Sequence, residues 1–158
     1  GVFVDQPIDD VNDFGHISGI EYVQLHGEES PEYCKLMEHK IIKAFRVAPD
    51  MSADHIRYMM DPYVNVVDYF LFDTFKKGVP GGTGETFDWH VLQDIVEEFP
   101  IFLSGGLNAG NVKDALNKIH PWAVDASSGL ESEPGIKDFE LMDTFIETVR
   151  DFNDNYGN

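Results

Sequence analysis

The sequence predicts an α/β fold built on a parallel sheet. Two observations carry that expectation. Short apolar runs alternate with polar, helix-length stretches along the chain, which is the pattern of right-handed βαβ units. Polar and glycine-rich residues then gather just after the apolar runs, where parallel sheets carry their functional groups. Six units in 158 residues leave about 26 residues for each. An open doubly wound sheet and a (βα)8 barrel both fit the alternation. At this spacing eight units would need about 210 residues, so a barrel asks for two units beyond these.

The first predicted strand is Val2 to Val4, followed by a helix over Asp9 to Ile17 that opens on Asp9-Asp10, as the helix dipole favours. Tyr22 to Leu25 is the second strand. Ser30-Pro31-Glu32-Tyr33 then starts a helix with a cap, a proline at its first position and an early acid; Leu36 and Met37 fit its half-buried side. Ile41 to Val47 is the third strand and Ser52 to Met60 the third helix. Tyr69 to Phe72 and Asp88 to Phe99 make the fourth unit, Ile101 to Leu103 and Asn111 to Ile119 the fifth. Ala123 to Ala126 is the sixth strand. Phe139 to Phe152 closes the chain, with Leu141, Met142, Phe145, Ile146 and Val149 at helical spacing. Residues 153–158 read as a frayed tail.

Composition excludes several classes. Lys and Arg number 11 against 29 Asp and Glu, a formal charge of −18, which argues against nucleic acid and against an anionic membrane surface. A small anion stays open, because backbone donors can hold a phosphate inside an acidic protein. Cys34 is the single cysteine, so no internal disulfide and no cysteine-built zinc site is expected, and the cytoplasm suits such a chain. No apolar run reaches the ~20 residues of a membrane span, and no signal peptide is recognised. The chain opens without Met, inside a strand, as though a beginning were missing.

The strand ends hold the candidate chemistry. The fourth ends in Asp73-Thr74, the fifth in Ser104-Gly105-Gly106-Leu107-Asn108, the sixth in Asp125-Ala126-Ser127-Ser128-Gly129. Glycines after consecutive strands let N–H groups approach an anion, and serine hydroxyls add donors. Asp73 follows an aromatic-rich strand. A carboxyl held against aromatic rings can be pushed up in pKa and serve as a general acid; a solvated turn residue is the plainer alternative. By strand alternation Asp125 shares a face with Ser127, and His26 with Gln24. For both Asp125 and His26 a structural role is the alternative. His16, His39, His55, His90 and His120 read as surface residues without a partner at ligand spacing, so no metal is expected. Cys34, on a helix, reads as structural. Arg46 ends the third strand and reads as a surface salt-bridge former, with an anion contact as the alternative.

Four strings in order resemble the phosphoribosylanthranilate isomerase family. They are Val23-Gln24-Leu25-His26-Gly27; Phe72-Asp73-Thr74 with Gly81-Gly82-Thr83-Gly84-Glu85-Thr86-Phe87-Asp88-Trp89; Leu103-Ser104-Gly105-Gly106-Leu107-Asn108; and Ala123-Val124-Asp125-Ala126-Ser127-Ser128-Gly129-Leu130-Glu131 with Pro134-Gly135-Ile136-Lys137-Asp138. The resemblance runs to about Arg150. It implies a (βα)8 TIM barrel of tryptophan biosynthesis that needs no cofactor or metal. The implied reaction is the Amadori rearrangement of N-(5-phosphoribosyl)anthranilate to 1-(2-carboxyphenylamino)-1-deoxyribulose 5-phosphate. Asp73 would be the general acid. His26, Gly82, Gly84, Gly105, Gly106, Asp125, Ser127, Ser128 and Gly129 would meet the phosphorylated substrate, with the loop carrying Gly82 and Gly84 folding over it.

Two departures qualify what the resemblance implies. The family's general base is a cysteine in a Lys-x-Cys-Gly motif on its first strand, and a second-strand arginine meets the anthranilate carboxylate; these residues contain neither. The chain therefore aligns with the family's third to eighth units. The expectation is a three-quarter barrel over residues 1–152 whose open sheet edges are covered or self-associate, and a chain inactive by itself. A non-catalytic fragment keeping only the phosphate loops is the alternative, and another phosphate-binding barrel, such as an epimerase or sugar isomerase, a weaker one.

Overall fold

The structure, a computed structural model, describes residues 1–74 and 87–156. Six parallel strands form one sheet in the order of the chain: β1 (Val2–Phe3), β2 (Tyr22–Leu25), β3 (Lys40–Val47), β4 (Tyr69–Thr74), β5 (Ile101–Leu103) and β6 (Ala123–Val124). Between them run α1 (Ile8–Ser18), α2 (Pro31–Cys34), α3 (Ala53–Met60), α4 (Gln93–Val96) and α5 (Val112–Ile119). A hairpin of β7 (Glu131–Glu133) and β8 (Ile136–Lys137) precedes the last helix, α6 (Phe139–Tyr156).

The strand order decides between the two expected architectures. A doubly wound sheet reverses its order at a switch point and takes helices on both faces. Here the order never reverses. Pairing aligns Leu25 with Lys43, Lys43 with Phe70 and Phe72 with Leu103, all on one face. That face packs against Val11, Ile56, Ile95, Leu116 and Phe145 from the helices. The opposite face clusters strand side chains alone, with Ile42, Ala44 and Leu71 beside Tyr22, Tyr69 and Phe102. Single winding with one helix-covered face is the arrangement of barrels.

Local departures from the expected elements have local causes. Helix α2 stops at Cys34, because Leu36 and Met37 donate to the carbonyls three residues back, which tightens the turn. Leu36 is then 67% exposed rather than half-buried. The expected helix over Asp88 to Phe99 starts as a 3-10 turn at Trp89–Leu92. Three residues per turn put Trp89 and Leu92 on one side, Ile95 of α4 follows three residues on, and all three are buried. Strands β1 and β6 are shorter than predicted and β4 is longer, so Asp73 lies within its strand, paired with Arg46. Helix α6 passes the expected end at Phe152 and continues to Tyr156, so a frayed tail does not begin at residue 153. The rings of Phe152 and Tyr156 meet at 5.0 Å, and His120 sits 5.2 Å from Phe152.

The helix-facing side of β3 holds an ion pair among apolar residues. The side chains of Lys43 and Glu29 are each 2% exposed and meet at 3.0 Å. Lys43 Nζ also donates to the carbonyls of Leu25, Gly27 and Ala44. Glu29 accepts from the N–H groups of Asp5 and Gly27. Burial pushes the Glu29 carboxyl up, but these donors together outweigh it and hold the group below its ordinary 4.5.

Removing one member of such a pair strands the other charge. Lys43→Met is expected to lower the unfolding free energy by roughly 3–5 kcal/mol in urea titration. Because the folded Glu29 pKa is depressed, its stabilisation is present above 4.5 and lost as pH falls below that value. Urea midpoints followed through this range should drop less steeply in Glu29→Gln than in the unchanged chain.

Candidate active site

Alternation along paired strands brings polar residues to the carboxyl end of the helix-free face. Gln24 and His26 share it with Ala44 and Arg46, Leu71 and Asp73, Phe102 and Ser104, as the register requires. Asp125 follows Ala123, the partner of Phe102. Gln24 Nε2 meets His26 Nδ1 at 3.0 Å, which turns the other ring nitrogen, Nε2, toward β4. That nitrogen faces Asp73 Oδ2 at 3.3 Å, both side chains being part-buried. On the next strands Ser104 Oγ donates to Asp125 Oδ2 at 3.0 Å.

These residues open into a cleft of about 460 Å³, lined also by Gly105, Gly106, Ser127, Ser128 and Gly129. Glycine is required twice. Gly105 has φ +84, and a Cβ there would strike the N–H and hydroxyl of Thr74 and come within 2.7 Å of Asp73 Oδ1. A Cβ on Gly129 would strike the Leu107 carbonyl oxygen. The loops after β5 and β6 therefore touch backbone to backbone. Chemically the cleft places an acid–imidazole pair beside two loops rich in amide donors, which suits a substrate with an anionic end and a labile proton.

Comparison with known proteins bears on that arrangement. The family profile for N-(5'-phosphoribosyl)anthranilate (PRA) isomerase matches residues 1–148. The chain belongs to this family. The isomerase of Nitrosospira multiformis is 42% identical over 149 residues, covering 94% of this chain and 69% of that protein. The crystal structure of the Thermotoga maritima isomerase superposes with TM-score 0.83 at 33% identity, over 96% of this chain and 72% of that one. Another isomerase structure, in complex with reduced 1-(o-carboxyphenylamino)-1-deoxyribulose 5-phosphate, gives TM-score 0.78 at 31% identity, over 96% and 70%.

Against this isomerase fold, His26, Asp73, Gly105, Gly106, Asp125, Ser127, Ser128 and Gly129 all line one cleft. Gly82 and Gly84 lie outside the described residues. Several expected relations differ. Phe70 and Phe72 point to the helix side, so the groups beside the Asp73 carboxyl are His26 and Gly105 rather than aromatic rings. Strand alternation does not join Asp125 to Ser127, because β6 stops at Val124; Asp125 is bound by Ser104 instead. Arg46 is exposed and has no carboxylate partner among the described residues. His16 pairs with Glu38 at 2.7 Å on the surface. Cys34 is buried, and burial pushes its thiol up to about 11.

Sequence reasoning assigns no role to the Lys43–Glu29 pair, Asn108 or Asn111, and does not place the β7–β8 hairpin. The hairpin carried a signal: Pro134-Gly135 is a turn dipeptide, and Gly135 takes φ +82. Through the hairpin Lys137 Nζ reaches the Ser127 carbonyl at 2.8 Å. Among the described residues no group of His, Cys, Asp and Glu could hold a metal, and no helix is long and apolar enough to cross a membrane.

Gly105→Ala combines a left-handed backbone with a blocked Cβ. It is expected to cost about 1–3 kcal/mol in urea unfolding and to displace the loop against Asp73. Gly135→Ala has the same sign of φ but open space around it. It should weaken the fold less and leave the cleft unchanged.

Proposed function

We propose that this cleft carries out the isomerisation of N-(5-phosphoribosyl)anthranilate in tryptophan biosynthesis, with Asp73 as general acid. The observation that supports it most is the Asp73–His26 pair standing beside two touching glycine loops in one cleft. The phosphate is held by the N–H groups around Gly105, Gly106, Ser128 and Gly129 with help from the Ser127 and Ser128 hydroxyls. That leaves the ribose toward β4. Asp73 gives its proton to the furanose ring oxygen as the C1–O bond breaks, and the nitrogen lone pair forms the Schiff base. Loss of the C2 proton to a base gives the enolamine, which tautomerises to the ketone. His26, with Nε2 at 3.3 Å from Oδ2, orients the Asp73 carboxyl. Asp125, bound by Ser104, shapes the loop after β6.

The six units correspond in this reading to the last six of an eight-unit barrel. Sequential winding supports it, as does coverage of 72% of the Thermotoga isomerase. The edge strands β1 and β6 would then be covered by further chain or by a second copy. The base for the C2 proton is not Cys34, whose thiol is buried on the helix side.

Asp73→Asn, in an active form of the enzyme, is expected to cut kcat by about 10²–10⁴-fold while phosphate binding persists; near-normal turnover would remove Asp73 from the role. A polypeptide of these residues alone, given fresh substrate, is expected to show no turnover above buffer. Full activity from it would overturn the six-of-eight reading and the assignment of the base elsewhere.

A further inference from the structure

Gly106 holds its carbonyl oxygen between two side-chain amides. Asn108 Nδ2 donates to it at 3.2 Å and Asn111 Nδ2 at 2.9 Å. Both amides are themselves fixed. Asn108 Oδ1 accepts from the Gly110 N–H at 2.8 Å, and Asn111 Oδ1 from the Asn108 N–H at 2.9 Å. Asn111 sits at the N-cap of α5 yet makes no side-chain cap bond there; its side chain is spent on the loop.

The peptide from Gly106 to Leu107 is planar and trans, so its C=O and N–H point to opposite sides. With the oxygen held toward the asparagines, the Leu107 N–H turns the other way, and Leu107 lines the cleft. Among the described residues the N–H groups of Gly105, Gly106 and Leu107 donate to no other group. Gly105 and Gly106 both have positive φ, and successive amides in turn conformations form anion-binding concavities.

We propose that Asn108 and Asn111 are positioning residues: their two amides on the Gly106 carbonyl set the peptide plane so that the Leu107 N–H joins those of Gly105 and Gly106 in binding a phosphate. The proposal rests on the phosphate assignment made above. Neither asparagine bonds the anion in this arrangement. Their effect falls on binding, and the proton transfer at Asp73 proceeds as before.

The test is a titration of inorganic phosphate into the chain, with backbone amide shifts followed by NMR. In the unchanged chain, shifts are expected at Gly105, Gly106, Leu107, Ser128 and Gly129. In the Asn108→Ala/Asn111→Ala double variant the affinity should fall at least about tenfold and the Leu107 response should vanish, while Gly129 still responds. Asn111→Asp guards against a loop that simply loosens. It keeps the acceptor for the Asn108 N–H, removes the donor to Gly106 and adds one negative charge. The added charge would weaken both loops in parallel, whereas loss of the donor removes the Leu107 response first. Unchanged affinity and an unchanged Leu107 response in both variants would overturn the clamp. So would a parallel loss at both loops accompanied by a lower melting temperature. No shift at either loop in the unchanged chain would overturn the phosphate site itself, and the clamp with it.

Discussion

The buried Lys43–Glu29 pair is the constraint on which the carboxyl end of the sheet depends. Its partners belong to three consecutive strands and their loops: Asp5 after β1, Leu25 and Gly27 around the end of β2, Lys43 and Ala44 in β3. The ammonium and the carboxylate thereby gather backbone groups from three strand ends onto one buried point, with both side chains 2% exposed. A hydrophobic replacement would pack well but could not satisfy them. The pair thus ties down the turn that follows His26, and His26 in turn faces Asp73. Stability and the geometry of the candidate acid are joined through a single ammonium group.

Much of this was legible in the sequence because strand ends are local features. Apolar runs gave the order of the strands, and the residues just beyond them, His26, Asp73 and the glycine loops, could be placed in one region before any coordinates. The number of residues in each turn of helix was not legible. Trp89, Leu92 and Ile95 read equally well as part of one α-helix, yet the first two lie in a 3-10 turn and only Ile95 in α4. Partnerships were also hidden. Lys43 sits within an apolar strand, which signals a buried charge, but Glu29 lies in a loop and its approach depends on the paired register of β2 and β3. The contact between Ser104 and Asp125 likewise exists only once β5 and β6 are side by side.

Net charge is a poor guide to local function here. With a formal charge of −18 the chain would repel anions over most of its surface. Its candidate phosphate loops answer with neutral groups: backbone amides fixed by glycine geometry and serine hydroxyls. Lys137, whose ammonium reaches the Ser127 carbonyl, is engaged by Glu131 at 2.9 Å. Dipoles held in place can favour an anion without adding net positive charge, so the acidity of the surface and the affinity of the cleft are separate variables.

The unreversed strand order has a consequence for how the molecule is made. Every strand after β1 pairs with the strand that precedes it in the chain, Gln24 with Val2, Tyr69 with Ile42, Ala123 with Phe102. Among these six strands no pairing has to wait for a distant segment. During synthesis each new βα unit leaving the ribosome finds its template already formed, and loop closure is confined to a single crossover at a time. Assembly of this sheet can therefore follow the order of synthesis, growing at the most recently made strand while β1 stays at the other edge.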